Sequence, residues 1–67
     1  MRETLLDALK SHAKGHIDKH VANVEIYLAN PVVVGEHPDI IETIEKELEQ
    51  IGMYNEQLEL INKYFKK

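Results

Sequence analysis

An interruption constrains this chain more than any other feature. Asn30-Pro31-Val32-Val33-Val34-Gly35-Glu36-His37-Pro38 separates two stretches in which apolar residues recur at intervals of three and four. The residue before a proline is pushed out of the α region, so a helix arriving from the N-terminal side stops at Asn30. Two helical stretches of similar length on either side of a short loop return antiparallel and pack stripe on stripe. The expected fold is therefore all-α: one domain spanning 1–67, with a helix over about 2–30, a loop over about 31–37 and a helix over about 38–65, forming a two-helix hairpin.

In the first stretch Leu6, Leu9, Ala13, Ile17, Val21, Val24 and Leu28 fall on one stripe of a helix. Thr4 and Asp7 suit a capping box at its start, with helical residues ahead of Thr4 as the alternative. In the second, Pro38 suits the first helical position, and Asp39 and Glu42 favour the positive end of the helix dipole. Its stripe is Ile41, Ile44, Leu48, Ile51, Leu58, Ile61 and Phe65, with Tyr54 filling the gap between Ile51 and Leu58, close to a heptad pattern. A register with Leu28 level with Ile41 brings Gly52 beside Ile17.

At 67 residues the chain is small, and a chain of about 60 residues buries only about 60% of its unfolded surface. It has no cysteine, hence no disulfide and no thiolate zinc site, which leaves association between copies or exceptional helix packing as the expected supplements. The hairpins are expected to assemble into a homo-oligomeric helical bundle, a dimer first. Met53, Leu60 and Tyr64 form a second, smaller apolar stripe off the hairpin core. Together with Val32, Val33 and Val34, which either cap the open end of the core or meet a partner, they are the expected partner-binding residues. Gly15 and Gly52 each cost about 1 kcal/mol inside a helix. Gly15 faces away from the main stripe, where either another chain or plain solvent accounts for it.

The 12 acidic and 8 basic residues are unevenly placed: 1–30 carry four of each, and 31–67 carry eight acids against four bases. No basic stripe is available to displace counterions, so direct nucleic-acid binding is not expected. No segment approaches the roughly 20 apolar residues of a membrane span, and the start, Met1-Arg2-Glu3-Thr4, is not that of a standard signal. A soluble, non-secreted protein is expected.

The most chemical feature is His12, His16 and His20, at one-turn spacing, with His37 in the loop. Imidazoles at i and i+4 can share a transition metal. The run lacks the Glu of the His-Glu-x-x-His signature, however, reading Gly15-His16-Ile17-Asp18-Lys19-His20. These histidines border the apolar stripe, where rings packed at an edge and bonded to water are the favoured account; a metal site and a pH-sensitive contact are the alternatives. No nucleophile and base are paired by the sequence, which has one serine, Ser11. Neither an enzymatic activity nor a cofactor is expected.

The run from His16 to Pro31, continuing through Gly35-Glu36-His37-Pro38-Asp39-Ile40-Ile41 to Asn62-Lys63-Tyr64-Phe65, resembles small proteins of contractile-tailed (myovirus-type) phages infecting marine cyanobacteria. The resemblance covers nearly the whole chain and carries no activity or functional residues with it. It implies a setting, the cytoplasm of an infected bacterium or a virion. Two functions follow as expectations: a non-enzymatic interaction or assembly protein, or a metal- or pH-responsive module built on His12, His16 and His20.

Overall fold

Helix-favouring residues run without a proline from Arg2 to Ala29, and again from Ile40 to Tyr64. In the computed structural model, which describes residues 1–30 and 39–66, these are the two elements: α1, Arg2–Ala29, and α2, Ile40–Tyr64. They pack along each other as an antiparallel hairpin with extents of 47 × 15 × 15 Å. At 1.5 Å per residue the 28 residues of α1 make about 42 Å, so the molecule is a rod little longer than its longer helix. No strand occurs among the described residues, and no helix there is long and apolar enough to cross a membrane.

The helix ends follow local chemistry. α1 closes at Asn30, whose N–H donates to the Ile26 carbonyl, as the following proline requires. Its start lies at Arg2 with Met1 as a cap that makes no side-chain bond, so the Thr4–Asp7 capping box does not form and the residues ahead of Thr4 are helical. α2 begins at Ile40. Asp39 is its N-cap, and its carboxylate accepts from the Glu42 N–H at 2.8 Å. Asp39 thus satisfies one orphan donor directly, a closer role than the dipole contact expected of it. Pro38 and the valines Val32, Val33 and Val34 lie outside the described residues.

The packing seam is a strict alternation of fours and threes. On α1 it runs Leu6, Lys10, Ala13, Ile17, His20, Val24, Tyr27; on α2 it runs Ile40, Ile44, Glu47, Ile51, Tyr54, Leu58, Ile61, ending on a half-exposed Phe65. A 3.5-residue repeat of this kind is the seam of a left-handed coiled coil. It departs from the expected stripes at particular positions. On α1, Leu9, Val21 and Leu28 are exposed, and Lys10, His20 and Tyr27 take their places; on α2, Ile41 and Leu48 are exposed, and Ile40 and Glu47 replace them. Lys10 enters by its aliphatic stem. Ala13 has no accessible surface. His20 opposite Glu47 and Arg2 opposite Phe65 fix the register, which slides by less than one turn from the one that levels Leu28 with Ile41.

Candidate interaction surfaces and the polar seam

Two features stand out on this framework: a polar cluster inside the seam, and apolar side chains left outside it. The cluster occupies the loop half. The Glu47 carboxylate accepts from His20 Nδ1 at 2.6 Å and from Asn23 Nδ2 at 3.0 Å, both on the same oxygen. The His20 and Glu47 side chains are only 11% and 17% exposed, so the pair is largely shielded from water. The hydrogen bond from His20 is the first cause holding the Glu47 carboxyl below its ordinary pKa; Asn23 and the charges of His20 and Lys19 act the same way, against the opposing effect of burial. With Nδ1 donating to Glu47, the imidazole is oriented by the carboxylate.

One turn earlier the chemistry changes. The His16 ring stacks on Tyr54, centroids 4.5 Å apart and planes 11° from parallel. Its Nδ1 is shut off from solvent and has no hydrogen-bond partner. A bare ring nitrogen is tolerable as an unused acceptor and costly as an unpaired N–H, so this site favours the neutral imidazole with its proton on Nε2. Desolvation first, then the charges of His12, Lys19 and His20, push the His16 pKa down. His12 is exposed, tilted against His16 at 4.4 Å and edge-on to Tyr54 at 5.9 Å.

The three histidines therefore form a ladder stepping from solvent into the seam, each committed differently. Among the described residues, no set of three His, Cys, Asp or Glu side chains is placed to hold a metal ion. The sequence spacing found the ladder; the partners Glu47, Asn23 and Tyr54 come from the other helix or the next turn and carry no local signal.

The apolar side chains left outside sort by geometry. The two-fold that relates antiparallel helices is perpendicular to their common plane and maps each side of that plane onto itself. Residues that directly precede seam positions thus share one side, and residues that directly follow them share the other. Leu5, Leu9, Met53, Leu60 and Tyr64 all precede, and all are exposed, in the terminal half of the rod; Ile26 also precedes, 54% exposed, in the loop half. Val21, Leu28, Ile41 and Leu48 all follow, in the loop half, and are 43, 61, 65 and 52% exposed. The expected set Met53, Leu60 and Tyr64 is thereby brought together and enlarged by Leu5 and Leu9. The second patch was hidden from sequence analysis because its four members read as core.

Charge divides between the two sides, though not between the two halves. The following side carries Asp7, Asp18, Glu25, Glu45 and Glu59 against Lys14 and Lys66; the preceding side carries Arg2, Lys19 and Lys46 against Asp39, whose carboxylate is committed to the α2 N-terminus. At the terminal end Arg2 Nη2 donates to the Phe65 carbonyl at 2.8 Å, and Lys63 Nζ lies 5.1 Å from the Tyr64 ring centroid. Arg2, Leu6, Asp7, Lys10 and Phe65 line a shallow cleft there. Comparison with protein-family models, with characterised proteins and with solved structures finds no match to this chain.

Proposed function

We propose that this hairpin is a non-enzymatic, phage-encoded interaction or assembly protein, a virion component or a modulator of a host protein machine, that works as a small helical oligomer. The observation that carries the reading is the surface. A folded monomer of 7.8 kDa is expected to expose about 4,400 Å², whereas this chain exposes 5240 Å². Buried hydrophobic residues amount to Ala13 and Ile61 among the described residues, while many large apolar side chains are exposed. Met53, Leu60 and Tyr64, with Leu5 and Leu9, are the first candidates for the contact. The phage setting rests on the resemblance of His16 to Pro31 and its continuation.

Sedimentation equilibrium at micromolar concentration, run in chelator and again with zinc, tests this. An oligomer in chelator is the expected result; a monomer in both conditions would remove self-association.

One observation favours a second reading, a proton-responsive module. His16 is held neutral against Tyr54 beside a His20–Glu47 bond that spans the two helices, so protonation acts on the seam itself. Replacing His16 and His20 by Gln separates the two: assembly predicts unchanged association in chelator, the responsive module a loss of pH dependence.

A further inference from the structure

His16 is the least settled side chain along the seam. Its ring lies flat on Tyr54, and its Nδ1 is shut off from solvent with no partner, while Nε2, neither bonded within the chain nor shut off, meets water. That division keeps the proton on Nε2. A second proton has only Nδ1 to go to, where it becomes a buried N–H without an acceptor, so the ring resists charging where it stands. A metal at Nε2 would drive the first proton to the same place, which makes His16 a poor metal ligand.

The surroundings give a charged ring no counter-ion. On α1 it touches His12, centroids 4.4 Å apart, with His20 one turn on at 6.2 Å; the charges of His12, Lys19 and His20 all act against a proton on His16. On α2 it meets Tyr54, with the uncharged Gln50 and Met53 on the same flank; the seam carboxylate, Glu47, is engaged by His20 and Asn23, and Lys46 adjoins it. An imidazolium is therefore better placed in water than on Tyr54.

A way out lies alongside. The next row outward on α1 is Ser11, Gly15 and Lys19, one turn apart, and the missing side chain at Gly15 leaves a gap in it. A Cβ there meets nothing within 4 Å, and the row lines a shallow groove together with His12 and His16. Two χ1 rotamers are open to a helical side chain, so a ring can pass from seam to groove without a change of backbone. We infer that acid releases His16 from Tyr54 and swings its ring into the gap beside Gly15, loosening the middle of the rod while the bond between His20 and Glu47 still ties the helices. The inference rests on the proton-responsive reading above and supplies its moving part.

Nuclear magnetic resonance of the His16 and Tyr54 rings, followed from about pH 8 to about pH 5, tests it. The Tyr54 signals are expected to move with the titration of His16, at a midpoint below the ordinary 6.5, while helicity by circular dichroism and the backbone amide signals around His20 and Glu47 hold. Gly15→Leu, which fills the gap, is expected to move that midpoint to lower pH; Gly15→Ala, which leaves most of the gap, should keep it near the unaltered value and so separates space from helix propensity. If Gly15→Leu titrates as the unaltered protein does, the exit route is wrong while the proton response stands. If helicity collapses together with the His16 titration, acid unfolds the whole rod and the local release is wrong. If the Tyr54 signals ignore His16, or move unchanged in His16→Gln, the proton-responsive reading and this inference fail together.

Discussion

The terminal and loop halves of the rod solve the same packing problem in opposite ways. The terminal half closes mainly on the aliphatic Leu6, Ala13, Ile17, Leu58 and Ile61, with Lys10 and Tyr54 among them. The loop half admits His20, Asn23, Thr43 and Glu47 to its interface and turns Val21, Leu28, Ile41 and Leu48 outwards. The aliphatic side chains are one position away from the seam in each case. The difference shows that hydrophobicity alone does not select the packed face: a hydrogen-bonded polar cluster can hold the seam provided its members satisfy one another, and the displaced aliphatics are then free for another surface.

The largest break in this comparison is expected in the terminal half. Ile61→Ala should cost about 2–4 kcal/mol, the usual range for emptying a buried aliphatic site, read from the urea midpoint by circular dichroism. A loss below about 1 kcal/mol would mean that the aliphatic half is not the core. In the loop half, Glu47→Ala strands two donors, His20 Nδ1 and Asn23 Nδ2, and should cost about 1–3 kcal/mol. Changing His20 and Glu47 to Leu together should land within about 1 kcal/mol of the unaltered protein, because removing both partners leaves no unpaired charge. A double variant as damaged as the single one would show that the cluster contributes more than its own satisfaction.

The pH dependence should come from polar side chains of both regions, His16 beside Ile17 at mid-rod and Glu47 in the loop half. His16 and Glu47 both have folded-state pKa values depressed below their ordinary values of 6.5 and 4.5, so the unfolded chain takes up protons first as pH falls. Their contributions are complete above those values and are lost towards acid, His16 in a window opening below pH 6.5 and Glu47 in one opening below pH 4.5. Thermal unfolding at stepped pH reads both, and His16→Gln should erase the first window while leaving the second. The smallest effect is expected from the glycines. A Cβ at either Gly15 or Gly52 meets nothing within 4 Å, so Gly52→Ala and Gly15→Ala should each stabilise the hairpin by up to about 1 kcal/mol. A Gly15→Ala protein that is more stable yet no longer assembles would place that glycine in a contact between copies.

Much of the fold was legible in the sequence. Proline after Asn30 ended α1, and periodicity supplied two helices whose bounds hold within two residues. The face was less so. Scoring apolar residues at threes and fours draws Val21, Leu28, Ile41 and Leu48 inwards, because nothing local tells His20 that a carboxylate lies opposite it on the other helix. The strict four–three alternation shared by both helices was the usable signal, and it requires admitting a lysine, a histidine and a glutamate to the seam. For the surfaces, Met53, Leu60 and Tyr64 were found because no core position competes for them; the loop-half patch was missed for the converse reason.

Arg2 and Phe65 meet at one end of the rod, and this has a mechanical consequence. Tension applied through residues 2 and 65 acts crosswise on the seam and opens it one layer at a time, beginning with the Arg2 clasp and then Leu6 with Ile61. The bond between His20 and Glu47 is reached only after the aliphatic half has parted, so under load this hairpin behaves as a zipper with a polar catch two-thirds of the way along, ahead of Val24, Tyr27, Ile40 and Ile44.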